Sequence, residues 1–467
     1  MLLTPTQKRI KKQLDKGTLI NSDMLNDLIQ DHSQTKVTTK GLYERYKASA
    51  GAVPIFSREF DGANKINSQI NNDFFSEIID VKQGYLIGKP IVYQLDKNKY
   101  ENRETEYLKH QEFMSNLITR NNFQDLDAEL VKIVSICGHA GREIFIDGDG
   151  EVRIVNLMPY ETIFLTNVFG QVDYAVRYYD EQNENGDTVT MIEFFDKERV
   201  LYFEGTKGDY QCTDESVHLF GQCPVIKVIN NEEEIGDCDK VLPLIDAYDR
   251  TLSDISSEIE QFRLAYMYFK GKEPTAEVIE ASKQTGGFYV GEDGEVGFIT
   301  KSINDAVVEH HLDRLADNIL RFAKSVNFGD EQFAGNLSGV AMKYKLFALE
   351  SKSSVMESKL QTALRNQFKI VCNLLNIQNI NVNYLDIFFE FTRNLPINLQ
   401  DEAQANATLM GLVSERTRLS LLPFVDDVDY ELEQMELDKE VDPYSDYEVD
   451  TPTIEAPEVE SNQVEVD

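Results

Sequence analysis

Leu252-Ser-Asp-Ile-Ser-Ser-Glu-Ile-Glu-Gln-Phe-Arg-Leu-Ala-Tyr-Met-Tyr-Phe269 carries apolar side chains at Leu252, Ile255, Ile259, Phe262, Tyr266 and Phe269. A second stretch repeats the rhythm at Val308, Leu312, Leu315, Ile319, Phe322 and Val326. Alternating steps of three and four draw one apolar stripe down a helix. The spacing therefore predicts an antiparallel helical pair over 241–271 and 306–326, with a small module, 272–305, at its tip. That module is expected to hold a short helix, Thr275–Lys283, and a hairpin. The hairpin strands are Gly287–Val290 and Val296–Ile299, turning at Gly291-Glu-Asp-Gly294.

Upstream of the pair, residues 142–228 change to period two. Glu143-Ile-Phe-Ile146 and Glu151-Val-Arg-Ile-Val155 flank Asp147-Gly-Asp-Gly150, the composition of a hairpin turn. Further strands are expected at 162–166, 172–179, 189–195, 199–203 and 225–229, which makes an antiparallel β region. Earlier still, Phe74, Ile78, Val81 and Tyr85 recur at helical spacing until Gly88-Lys-Pro90 stops the helix. Ile91–Leu95 then reads as a strand. Residues 1–50 are basic, with helix-like spacing and few large apolar side chains, and are expected to form an N-terminal arm.

Downstream, Asn327 to Leu337 is rich in Gly, Asn and Asp and reads as a mobile loop. Ser338 is a suitable N-cap for a third helix reaching Asn376, with Leu360, Leu364, Phe368, Val371 and Leu375 on its apolar face. Shorter helices are expected over 398–438. From Asp426 to Asp467 there are 17 acids and one base, Lys439, so the far part from about Val441 reads as a disordered acidic tail. The fold class that results is α+β.

The 467 residues carry 81 acids against 46 bases, a formal charge of −35. Coating DNA needs Lys and Arg in excess, so a freely diffusing DNA-coating protein is excluded. With 42% hydrophobic residues the chain can bury real cores. It has no apolar run of the ~18–20 residues needed to cross a bilayer, and its N-terminus lacks the apolar core of a secretion signal. Cys137, Cys212, Cys223, Cys238 and Cys372 form no metal-type spacing and read as reduced, buried or idle thiols of an intracellular protein.

Motifs of catalysis are nearly absent: there is no GxxxxGK[S/T], HExxH or GxSxG. Asp147-x-Asp149-Gly150 resembles a calcium loop only superficially, lacking the later ligands. His310-His311 reads as a plain helix terminus. Gly84-x-x-x-Gly88 lies in no membrane span and marks tight backbone packing or a helix stop. The expectation is a protein that is no enzyme and holds no metal or cofactor. The competing readings are a metal-dependent hydrolase using carboxylates such as Asp147 and Asp149, and a soluble interaction scaffold. Lys345, Lys352 and Lys359 repeat every seven residues and so share one face of a strongly basic helix. That face is either solvated, paired with acids of a neighbouring copy, or set against nucleic acid.

Gly84-Tyr-Leu-Ile-Gly-Lys-Pro-Ile91, Asn327-Phe-Gly-Asp-Glu-Gln-Phe333, Ser338-Gly-Val-Ala-Met-Lys-Tyr-Lys-Leu-Phe-Ala-Leu-Glu350 and Phe391-Thr-Arg-Asn-Leu-Pro396 together resemble the portal proteins of tailed bacteriophages, of the type found in long-tailed phages of Gram-positive hosts. The resemblance covers roughly residues 40–435. It leaves out the N-terminal arm and the acidic tail, and Cys137-Gly-His-Ala-Gly141 departs from it by a glycine in an aromatic's place.

The resemblance implies a homo-oligomeric ring, usually of twelve subunits (a dodecamer), at one capsid vertex of the virion, assembled in the host cytoplasm with no membrane. Double-stranded DNA would be driven through its channel by the terminase large subunit, retained, and ejected through a head–tail adaptor. Major capsid and scaffolding proteins would be further partners. It also implies named parts: arm and wing (1–240), stem helices (241–271 and 306–326), an α/β clip (272–305), a tunnel loop (327–337), a long wing helix (338–376), a helical crown (377–440) and the tail (441–467). The tunnel-loop residues are Asn327, Phe328, Gly329, Asp330, Glu331, Gln332, Phe333, Ala334, Gly335 and Asn336.

A conduit must not grip its cargo, because each phosphate held by Lys or Arg adds affinity. An acidic bore repels the duplex evenly. Asp254, Glu258, Asp313 and Asp317 are the candidates for that lining; their alternative is ion pairing, for example Asp317 with Arg321 one turn on.

Overall fold

A computed structural model of the chain describes residues 3–59, 66–183, 186–206, 208–262, 266–270, 275–285, 294–299, 305–327, 339–377, 380–395, 404, 406–422, 425 and 428–441. It is a mixed helix-and-sheet protein in two units, Met1–Asn394 and Leu395–Asp467.

The body of the N-terminal unit is built on two larger antiparallel sheets, of five and three strands, beside two two-stranded ladders among the described residues. Five strands, β4 (Thr162–Thr166), β5 (Val172–Gln182), β6 (Thr188–Phe195), β7 (Arg199–Thr206) and β8 (Asp209–Val217), pair in chain order as a meander. Their period-two sequences send Ile163, Leu165, Val176, Tyr178, Ile192 and Phe194 to one face, and Phe164, Ala175, Phe195 and Val200 to the other. The first face is covered by α1 (Pro5–Leu14) and α2 (Ser22–Tyr46) through Ile10, Leu14, Ile20, Met24, Leu25 and Leu28. The N-terminal segment is therefore a packed cover and not an arm. Its apolar residues are few, but six on one side suffice to seal a sheet face. Arg9, Lys12 and Lys16 face solvent, while Lys11 is half-buried and pairs with Asp173 at 2.8 Å.

The second sheet has the order β3 (Val152–Leu157), β2 (His139–Ile146), β9 (Val225–Ile229). The turn between β2 and β3 is the expected one: the Asp147 carboxylate accepts the N–H groups of Asp149 (3.0 Å) and Glu151 (2.9 Å) and the Arg153 Nε–H (2.7 Å). The main core lies between this sheet, α5 (Phe123–Cys137) and the 39-residue helix α9 (Gly339–Ile377), with Met356, Leu360, Leu364, Phe368 and Val371 wholly buried. Within it Arg142 is almost fully buried, donating to Asp127 (2.8 Å) and Gln367 (2.9 Å).

Helix α3 (Phe74–Ile87) ends at Gly88, as the sequence predicts. After it β1 (Val92–Leu95) pairs with β12 (Ile387–Glu390). That pairing corrects the expectation of a helical crown from residue 377. Residues 380–394 belong to the N-terminal unit, because Ile387-Phe-Phe-Glu390 completes a two-stranded ladder instead of starting a helix. Strand β8 was also missed. Its polar sequence carries no alternation, since it is an edge strand held to β7 by backbone pairing, with all but Tyr210 exposed.

In the C-terminal unit the described helices are Glu415–Ser420, capped by the Ser414 hydroxyl, and Val428–Val441. The expected disordered tail lies outside the described residues from 442 onward.

Candidate functional site: the helical pair and its root

Helix α6 (Leu242–Phe262) and helix α8 (Asp305–Ala323) lie side by side. Val241 and Ile245 at the start of one share a cluster with Ile319 and Ala323 at the end of the other, packed on Phe75, Ile78 and Ile79 of α3. The helices therefore run antiparallel. On α8 the predicted stripe is buried at Leu312, Leu315 and Ile319, while Phe322 is 55% exposed.

The first helix is shorter than its periodicity implied. It ends at Phe262, and Tyr266–Lys270 is a strand, β10, antiparallel to β11 (Glu295–Ile299). The aromatic run Tyr266-Met-Tyr-Phe269 continues the three-four rhythm but favours a pleated partner. A short helix, α7 (Ala276–Thr285), stands between the two strands as expected. The predicted strand Gly287–Val290 lies outside the described residues.

The most buried line on α6 is not its apolar stripe. Asp249, Ser253 and Ser257 fall four residues apart and are 1%, 0% and 3% exposed. Each receives a backbone N–H from the segment before α3: Asn72 to Asp249 at 2.8 Å, Ile70 to Ser253 and Ser68 to Ser257, both at 2.9 Å. Four residues of helix advance ~6 Å and two residues of extended chain ~6.6 Å, so the rungs stay in register. The sequence signal for it is small polar residues at i, i+4 and i+8, a line that the apolar stripe alone does not reveal.

The four candidate acids have different surroundings. Asp254 pairs with Arg58 and is half exposed. Glu258 is half-buried on the same helix. Asp313 and Asp317 are exposed on α8, in an open depression with His310, Arg314, Asn318 and Arg321. Among the described residues no ion pair joins Asp317 to Arg321, since α8 offers each its own patch of solvent.

The lysine face of α9 turns inward at its centre. Lys352 Nζ donates to the Ala323 carbonyl at the end of α8 (2.7 Å) and lies 3.1 Å from Asp237 Oδ1. The other Asp237 oxygen receives Lys82 Nζ at 2.8 Å, and Lys82 also donates to Asn230 at 2.7 Å. Lys82 and Asp237 are buried in full. Burial pushes the Lys82 pKa down. For Asp237 burial pushes up, but Lys82 and Lys352 outweigh it and hold the carboxylate ionised. Lys359 reaches Glu232 at 2.5 Å, and Lys345 is half-buried one turn above Leu349. Of the tunnel-loop candidates only Asn327 is described; Phe328, Gly329, Asp330, Glu331, Gln332, Phe333, Ala334, Gly335 and Asn336 lie outside the described residues.

The sequence that folds this way has relatives among known proteins. The family model described as phage portal protein, SPP1 Gp6-like, matches residues 11–442. The chain belongs to this portal family. The match takes in the end of α1 and the whole of α2, and so reaches into the segment left outside the resemblance seen in the sequence. The portal protein of Bacillus phage SPP1 is 25% identical over 399 residues, spanning 80% of this chain and 76% of the relative. The portal protein of Clostridium phage phiCD119 is 24% identical over 414 residues, 83% of this chain and 88% of the relative.

In this portal-family chain the Asp147 carboxylate considered for metal chemistry is the hub of a turn, and that of Asp149 is exposed beside it. Among the described residues no three His, Cys, Asp or Glu side chains converge on one point, and no helix is long and apolar enough to cross a membrane.

Proposed function

We propose that copies of this chain close into a ring, of twelve subunits, at one vertex of a phage capsid. The ring is the channel through which terminase drives double-stranded DNA, and it later retains the genome, joins head to tail and passes DNA out at infection. It is a structural part of the virion, assembled in the host cytoplasm with capsid and scaffolding proteins, and not an enzyme. The observation that carries this reading is the family match over nearly the whole chain together with the helical pair.

In this reading the two larger sheets with α1, α2, α3, α5 and α9 form the wing, and α6 with α8 the stem. The β10–β11 ladder with α7 is the clip that meets terminase and then the head–tail adaptor. Residues 327–337 are the tunnel loop, and the crown is confined to residues after 394. Asp313 and Asp317 are the better candidates for a repelling lumen surface, because they remain exposed and without an ion pair among the described residues, whereas Asp254 is neutralised by Arg58. Two of the three stripe lysines are held by acids of the same chain, Lys352 by Asp237 inside the subunit and Lys359 by Glu232 at its surface.

Negative-stain images of the purified chain test the reading. Rings with a central hole wide enough for a duplex are expected; single chains or open filaments at every concentration overturn it. Shortening Gly329–Asn336 should then leave rings intact while impairing packaging or retention.

A further inference from the structure

The junction of α8, α9 and the loop 230–237 holds two ammonium groups around one carboxylate. Lys82 satisfies Asp237 Oδ2, and Lys352 lies beside Oδ1, which also accepts from Asn230 Nδ2 at 2.9 Å. These three charged side chains alone carry one positive charge in excess, with the Asp239 carboxylate the next acid in range. What faces it is the C-terminal end of α8: the Ala323 carbonyl, 2.7 Å from Lys352 Nζ. Carbonyls at a helix C-terminus carry the negative end of the helix dipole, so the end of α8 serves as the missing counter-charge.

The same helix end closes in a Schellman-type turn with a residue other than glycine in the left-handed position. Ser325 N–H closes back on the Leu320 carbonyl at 2.9 Å, and Lys324 takes a left-handed φ of 57° although it is not glycine. A side-chain-bearing residue persists there only when its surroundings hold it. Asn327 follows two residues beyond Ser325 and opens the connection to α9.

We infer that Lys352 is a positioning residue, clamping the end of α8 to Asp237 so that the root of the 327–338 segment cannot shift independently of the wing. Moving the helix end away strands a second ammonium beside Lys82 with half its compensation gone. The α8 terminus and the 230–237 loop therefore move together or not at all. The inference rests on the portal reading only for its use, which is to fix where the tunnel loop leaves the stem; the clamp itself is a property of one chain.

Hydrogen exchange on the purified full-length protein tests the clamp. Lys352→Met should speed exchange by about tenfold at two separated places, the Lys324 and Ser325 amides and the Asp237 amide, with the β5–β7 amides unchanged. Lys352→Arg keeps the charge and should restore protection at both. Acceleration at one place only, or equal behaviour of the Met and Arg variants, overturns the clamp. If Lys352→Met does not fold, Lys352→Gln, which keeps a donor but not the charge, is held to the same two criteria. DNA retention by rings of Lys352→Met separates clamp from use: leakage supports the channel role, while normal retention with altered exchange overturns that role and leaves the clamp standing.

Discussion

Ser253 accepts the Ile70 N–H at 2.9 Å, and its own hydroxyl faces the Ile70 carbonyl at 3.4 Å. It is the middle rung of three that bind an extended segment along α6, and it is wholly buried. A hydroxyl there substitutes for a strand partner. Ser253→Ala leaves a buried N–H without an acceptor, which costs ~1–3 kcal/mol. Urea unfolding should show that loss, and the Ile70 amide should exchange faster while the Arg142 core keeps its protection.

Removing the buried ammonium should be more damaging. Lys82→Met leaves Asp237 with Lys352 alone and strips the Asn230 carbonyl of its donor. Breaking one side of a buried pair costs ~3–5 kcal/mol. The expected value is at the lower end, since Lys352 remains; a midpoint equal to that of the wild type in urea would refute the account.

Two glycines four residues apart should respond in opposite ways. A Cβ on Gly88 would stand 2.2 Å from the Gly84 carbonyl and 2.3 Å from Asn394 Nδ2, whereas one on Gly84 meets nothing within 4 Å. Gly88→Ala should destabilise by ~1–3 kcal/mol and loosen Asn394, whose N–H donates to the Tyr85 carbonyl. Gly84→Ala, inside α3, should gain up to ~1 kcal/mol from lower backbone entropy in the unfolded chain. Thermal melts of the two variants decide it.

Glu143, on β2, provides a pH signature. Burial, with the Glu193 carboxylate adding to it and Arg177 opposing, raises its pKa to about 7. A folded-state carboxyl that holds its proton more tightly than the unfolded one favours the fold at low pH. That contribution is complete below the unfolded value of 4.5, falls as pH rises, and is gone above about 7. Glu143→Gln should therefore gain stability relative to the wild type as pH climbs from 4.5 to 7, with no further change above. Urea midpoints across that range measure the difference, and a flat difference would refute the burial of this carboxyl.

Local pattern alone was enough for the helical pair, most strands of the β region, the turn at Asp147, the stop at Gly88 and the long helix. In each, the residues that define the element lie within a few turns of one another, so side-chain period and turn chemistry report it directly. The family was legible for a related reason, because short motifs such as Gly84–Ile91 and Ser338–Glu350 keep their order along the chain. Only the three-dimensional arrangement could decide which polar groups are interior. Ser253 and Ser257 carry no mark of burial until residues 68–72 are laid beside them, Lys352 has no assigned partner until Asp237 and the Ala323 carbonyl arrive from elsewhere, and Tyr266–Lys270 reads as helix until Glu295–Ile299 pairs with it. The physical cause is common to all three: a donor or acceptor is satisfied by whatever is near in space, and sequence distance carries no record of that partner.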